Sequence, residues 1–252
     1  MRTMTRECPS LPLGLKTRLG FRNSTTEVID VFRSFERRDG VAPPPLAYFA
    51  VHGRTQAARY STDADHAAVR EIAAAAASCA SNGEAPPILA NGDVLSYRDF
   101  ADVKEATGCT TSMLARGVLY KPWLCREIKE RRTSWDITST ERWRLYEDFC
   151  RFGLSHWGGD ARGVATTRRY LLELHSFAHR YVPLGLLEEG SRPLKMQDRV
   201  ADRFVGRDDL ETALASTSVS DWIRLSERLL GPVEADFTFV PKHKANAWEV
   251  AV

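Results

Sequence analysis

Pro86 to Val94 reads PPILANGDV: two prolines, an apolar run, then Asn-Gly-Asp. Taken alone, Asn-Gly is a strong hairpin signal. The other reading is a buried strand that delivers an amide, a glycine backbone and a carboxylate to its far end. The neighbouring segments separate the two. LPLGLKTRLG (Leu11 to Gly20), LAYFAVHGRT (Leu46 to Thr55) and TSMLARGVL (Thr111 to Leu119) are also near-continuous apolar runs that finish on polar or glycine residues. Such runs suit strands buried on both faces, as in a parallel sheet.

Helical patterns lie between the runs. Asn23-Ser24 precedes TTEVIDVFRSFERRDG, with Val28, Val31, Phe32 and Phe35 at helical spacing and Gly40 as a stop. Asp65 to Ala80 is alanine-rich and helix-favouring. Ser96 with Asp99 resembles a capping box, and Gly108 marks that helix's end. Strand–helix alternation predicts a parallel α/β fold. Beyond about residue 120 the periodicity becomes helical throughout, in Glu141 to Gly153, Val164 to Tyr181 and Asp208 to Leu230, with a break near Ser216 to Ser220. The expected organisation is an α/β part over residues 1–135, an all-α part over 136–235 and an extended tail over 236–252.

Composition sets wide bounds. With 43% hydrophobic and 27% charged residues, the chain has an ordinary globular composition. No apolar run reaches the length of about 18 residues that a transmembrane helix needs, so no membrane partner is expected. MRTMTRECPS lacks the apolar core of a signal peptide. The five cysteines form no C-x-x-C pair and no zinc-finger spacing. Their odd count suits free thiols in a reducing compartment, cytoplasmic or nuclear, and no metal is expected. The net charge of +2 says little, but KPWLCREIKERR (Lys121 to Arg132), Arg162 to Arg180 and KHK (Lys242 to Lys244) are local basic clusters. They are either solvated faces or surfaces that track phosphates.

The strand ends carry the chemistry. In a (β/α)₈ barrel the loops after the strands form the site. Here the four ends supply Lys16 with Arg18, His52-Gly53-Arg54, Asn91-Gly92-Asp93 and Ala115-Arg116-Gly117. Glycine lets backbone N–H groups approach a phosphate, and arginine adds a fork of donors. The set fits an anionic, aromatic cofactor such as FMN.

LKTRLG, VHGRT, ANGDV and MLARG, in that order, resemble the tRNA-dihydrouridine synthase family. LYKPWLCREIKE, WDITSTERW, FGLSHWGGDARGVATTRRYLLE, RYVPLGLLE, SDWIRLSERLLGPV and PKHKANAW resemble its eukaryotic branch, which acts on uridine 47 of tRNA. The resemblance implies a flavin-binding TIM barrel followed by a helical tRNA-binding domain, with FMN as cofactor and NADPH or NADH as reductant. In the family, hydride reaches C6 of an extruded uridine and a cysteine protonates C5; extrusion exposes the base to the flavin. By motif, the resemblance assigns Lys16, His52, Asn91, Gly92, Asp93, Ala115 and Arg116 to FMN. It assigns Arg54, Arg59, Arg168, Arg169 and Arg180 to tRNA, with Tyr60 in the same loop as Arg59.

The chain departs from the family in one respect. The Asn-x-Gly-Cys-Pro motif that carries the catalytic cysteine is absent. Cys8-Pro9 imitates it but precedes its strand, at the opposite end of the barrel, while Cys109, Cys125 and Cys150 read as small core residues. The expected architecture is therefore the last four barrel strands plus the helical domain: a fragment, inactive alone, whose open half-barrel favours self-association. The alternative is a catalytically dead tRNA-binding module. A dihydroorotate-dehydrogenase-like flavin barrel is disfavoured, because that chemistry needs no such helical domain.

Overall fold

The computed structural model describes residues 2–8, 10–21, 25–34, 46–58, 62–79, 85–187 and 204–242. By packing, the chain divides into two compact units, Met1–Ala115 and Arg116–Val252.

The first unit opens with a short helix, α1 (Arg2–Glu7). Strands β1 (Leu13–Arg18), β2 (Leu46–His52), β3 (Ile88–Asn91) and β4 (Thr111–Met113) then alternate with helices α2 (Thr25–Ser34), α3 (His66–Cys79) and α4 (Tyr97–Thr107). The strands form one sheet in the order β1-β2-β3-β4, and every pairing is parallel. Parallel neighbours need a crossover, which the helices provide. Helix α3 packs on β3, α4 on β3 and β4, and α2 on α3. Phe49, Ala50, Val51 and Ala90 are fully buried, which is why β2 and β3 read as apolar runs; the expectation of cover on both faces is corrected for β1, which alternates half-buried and exposed residues up to Lys16, and for β4, which has no buried residue. Pro87 sits just outside β3, where it needs no N–H, and its carbonyl accepts from Phe49 N at 3.0 Å.

Capping follows the sequence signals. Ser96 Oγ accepts from Asp99 N, while Asp99 Oδ2 accepts from Leu95 N at 3.0 Å. Gly108 ends α4 at φ 70°, as a C-terminal glycine does. The run at Thr111 to Leu119 is shorter as a strand than expected: pairing stops at Met113 and Arg116 begins a helix.

The second unit contains α5 (Arg116–Tyr120), α6 (Leu124–Lys129), α7 (Ser139–Trp157), α8 (Ala161–Ala178), a 3₁₀ turn (Leu184–Leu186), α9 (Asp209–Leu214) and α10 (Val219–Leu230). Thr138 and Glu141 form a full capping box for α7. Helices α7, α8, α9 and α10 close around Tyr146, Cys150, Leu171, Ala178, Leu214 and Leu225. The division falls at 115/116 and not near 135 because α5 packs on α8, while Tyr120 and Trp123 set their rings edge-on to Tyr181. A buried ion pair between Lys121 and Glu127, 2.5 Å apart, belongs to the same knot. The basic run at 121–132 is thus partly interior. Phe239, at the start of the expected tail, is buried against Leu172, Val219 and Trp222; residues 243–252 lie outside the described set. Among the described residues, no helix is long and apolar enough to cross a membrane.

Candidate functional site

Strand register sets the site. Arg18 pairs with His52, His52 with Asn91, and Asn91 with Met113. These four residues make one row across the C-terminal edge of the sheet. Side chains of paired residues share a face, and that face recurs every second residue. Lys16 is therefore on the same face as Arg18, and Tyr48 and Ala50 share it with His52. Tyr48 lies across Gly14, where an added Cβ would meet its ring at 2.2 Å. A parallel sheet is normally apolar on both faces; this one carries Lys16, Arg18, His52 and Asn91 on one face. Lys16 is exposed, Arg18 half-buried, and His52 and Asn91 are buried.

Arg54 ties the loops behind this row together. Its Nε and Nη2 donate to Thr62 O at 2.8 and 2.5 Å. Nη2 also reaches Asp93 Oδ2 at 2.7 Å, and Nη1 donates to His52 Nε2 at 3.2 Å. A guanidinium cannot accept, so His52 accepts at Nε2 and carries its proton on Nδ1. Burial, then the charges of Arg54, Arg18 and Lys16, lower the His52 pKa to about 4, against a smaller opposing effect of Asp93. The imidazole is neutral at physiological pH.

The turn after β3 answers the question that Asn-Gly-Asp raised. It makes no hairpin. Asn91 is still in register, and its Nδ2 donates to Met113 O at 2.6 Å. Gly92 turns the chain at φ 122°, where a Cβ would come within 2.8 Å of Ala64 Cβ and 3.1 Å of His52 Cδ2. Asp93 follows at φ 55°, a region that Asp tolerates better than most residues. Its Oδ2 accepts from Ala64 N at 2.7 Å as well as from Arg54.

The structure brings together Lys16, His52, Asn91 and Gly92 among the residues expected at a cofactor. Arg18 joins them; its position two residues after Lys16 was the signal for it. Asp93, also expected at the cofactor, anchors the turn through Oδ2, which accepts from Arg54 and Ala64 N. Ala115 closes the first unit and Arg116 opens the second as the first residue of α5.

The expected RNA contacts divide in the same way. Arg54 is only 2% exposed, so a surface role is corrected to an interior one. Arg168 is also buried: it donates to Ser226 Oγ at 2.8 Å, Leu230 O at 3.2 Å and Gly231 O at 2.7 Å. These bonds satisfy carbonyls at the end of α10, which helix geometry leaves without partners. Arg169 is exposed and lies 5.2 Å over Phe237. Arg180 is half-buried, 5.6 Å from the Phe177 ring. Arg59 and Tyr60 lie outside the described residues. Cys109 and Cys150 are buried as expected, and burial pushes the Cys150 thiol up to about 11. Cys125 is exposed, which corrects its reading as a core residue, and exposed Cys8 precedes β1 at the end of the sheet opposite His52 and Asn91.

Chemically, the face presents two cations, a neutral imidazole and a carboxamide beside a glycine too close to its neighbours for any side chain. That arrangement fits an anion with a flat, hydrogen-bonding body. Comparison with known proteins gives the family. The family model described as dihydrouridine synthase (Dus) matches residues 1–157. A Xenopus tropicalis protein named tRNA-dihydrouridine(47) synthase [NAD(P)(+)]-like is 48% identical, over 81% of this chain and 30% of its own length. A human protein of that name is 47% identical over the same shares. The Malassezia globosa tRNA-dihydrouridine(47) synthase [NAD(P)(+)] is 40% identical over 99% of this chain and 33% of its own. The chain thus spans about a third of the length of these curated relatives. With a family model covering well over half of the residues and relatives at 40–48% identity across most of the chain, this chain belongs to the dihydrouridine synthase family.

Proposed function

We propose that this chain is part of a flavin-dependent tRNA-dihydrouridine synthase. In this reading its sheet forms the last four strands of a (β/α)₈ barrel, and its second unit is the helical tRNA-binding domain. The observation that carries the proposal is the polar row Arg18–His52–Asn91, with Lys16 on the same face, at the C-terminal edge of a parallel sheet. FMN, when bound, supplies hydride exchange between a reduced nicotinamide, NADPH or NADH, and the C5–C6 bond of a tRNA uridine.

The chain's own residues bind and orient. Lys16 and Arg18 place positive charge where an anionic ring or ribityl phosphate would lie. Neutral His52 presents an uncharged imidazole to the same face, where a protonated ring would carry a large desolvation cost. The Asn91 carboxamide, already anchored on Met113 O, presents its remaining polar atoms in a fixed orientation. The Gly92 backbone leaves room for close approach. Ala115 and Arg116, after β4, are assigned to the phosphate by motif. Arg169 and Arg180 are assigned to the tRNA backbone; the buried Arg54 and Arg168 are not.

The test is titration of the purified chain with FMN, read by quenching of flavin fluorescence. Weak, saturable binding is expected, reduced about tenfold by Lys16→Met, the effect of losing one charge-assisted contact. Binding that is absent, or unchanged in that variant, overturns the cofactor assignment. With NADPH and an unmodified tRNA transcript, the chain by itself should form no dihydrouridine. Turnover without added protein overturns the view that the remaining barrel strands are required.

A further inference from the structure

Trp157 and Tyr170 stack face to face on the surface of the second unit. Their ring centroids are 4.9 Å apart and their planes differ by 7°. Trp157 ends α7 and Tyr170 lies in α8. The join between these helices is tight: a Cβ on Gly163 would come within 2.1 Å of Gly158 O, and Asp160 caps α8 by accepting from Gly163 N. His156 sets its ring edge-on to Trp157 at 5.2 Å.

The pair is not part of a core. Trp157 remains 39% exposed and Tyr170 52%, whereas Tyr146, Tyr181 and Trp222 in the same unit are 4%, 0% and 1% exposed. A parallel stack covers only one face of each ring. The exposed residues over the first turns of α8 are Ala161, Arg162, Ala165, Arg169 and Tyr170. Arg162, Arg169 and Tyr170 are spaced i, i+7 and i+8, which sets them on one stripe of the helix. Two acids lie near: Asp160, engaged in the cap, and Glu173, which accepts from Lys242 N. No large aliphatic side chain is exposed in those turns.

We propose that Trp157 and Tyr170 form a platform on which an unpaired base of the RNA extends the stack, with Arg162 and Arg169 along the adjoining phosphates. The inference rests on the tRNA reading above and adds a specific contact to it. An exposed aromatic stack flanked by arginines matches single-stranded RNA, because every base offers a π face and every linkage a charge. A protein partner would instead favour aliphatic surface, which this stripe lacks.

The test is binding of an unmodified tRNA transcript to the full chain across a salt series, with thermal melts of each variant. Trp157→Leu and Tyr170→Leu should each weaken binding by about five- to 150-fold, the range for losing one stacked base. The slope of log affinity against log salt should not change, since no phosphate contact is lost. Tyr170→Phe keeps the ring and should bind like wild type. Arg169→Gln should flatten the slope by about one phosphate contact. Tyr170→Leu carries the test if Trp157→Leu melts early. Wild-type affinity in Tyr170→Leu overturns the platform alone. No tRNA binding by the wild-type chain overturns the tRNA reading and the platform with it. Loss of self-association with RNA binding intact would assign the rings to a second copy and also overturns the proposal.

Discussion

Removing the Asp93 carboxylate should cost far more than its single charge suggests. Its side chain is 17% exposed, but the Arg54 side chain it pairs with is 1% exposed. Asp93→Ala takes this carboxylate away from a guanidinium that stays in the interior. Breaking a buried pair from one side costs about 3–5 kcal/mol. The stranded Ala64 N–H overlaps with this cost and does not simply add to it. Arg54→Met should cost less, about 2 kcal/mol, because Asp93 keeps Ala64 N and can reach water. In the double variant no charge is stranded, so the two losses should fall short of additivity by about 2 kcal/mol or more. Urea unfolding followed by circular dichroism measures all four proteins, with a constant m-value as the check that only stability has changed. Additivity within about 0.5 kcal/mol, or a loss under about 1 kcal/mol in Asp93→Ala, would refute the reasoning. Arg54 would then be solvated, and its assignment to RNA would be restored.

Three further outcomes are expected. His52 and His179 are each held near a pKa of about 4, mainly by burial, and burial lowers His175 further. Their folded values lie below the unfolded value of about 6.5, so the unfolded chain binds more protons. Stability should therefore be full above about pH 6.5 and fall toward pH 4, by on the order of 3 kcal/mol for His52 alone; a flat urea midpoint over that window contradicts the burial of these rings. Arg168→Met should lower stability by about 2–4 kcal/mol, because three acceptors at the end of α10 lose their donor; a variant that melts like wild type but binds tRNA more weakly would return Arg168 to the RNA surface. Gly92→Ala combines a left-handed φ with a clash on Ala64, so a loss of about 2 kcal/mol or more is expected, together with weaker FMN quenching; unchanged melting would show that the turn can relax.

Much of this protein could be read locally. The four apolar runs became four parallel strands, and the two central ones, β2 and β3, are covered on both faces, as continuous apolarity requires. Ser96, Gly108 and the Thr138–Glu141 box set helix ends through bonds made within a few residues, so their signals survive without tertiary information. Apolarity alone does not distinguish the strand at Thr111 from the helix that follows it. Cys125 is exposed although its neighbours in sequence do not show it, because a small thiol suits interior and surface alike.

What the sequence by itself determined was element order, the type of most elements, and the list of groups delivered to the strand ends. Only the tertiary structure decided how those groups are used. Arg54 and Arg168 look like any surface arginine in sequence, yet both are buried and engaged by residues 39 and 63 positions away. Asp93 is engaged by the same kind of long-range contact. Charge is a property of a residue, but availability depends on what folds against it, and that is set by partners the local sequence does not contain.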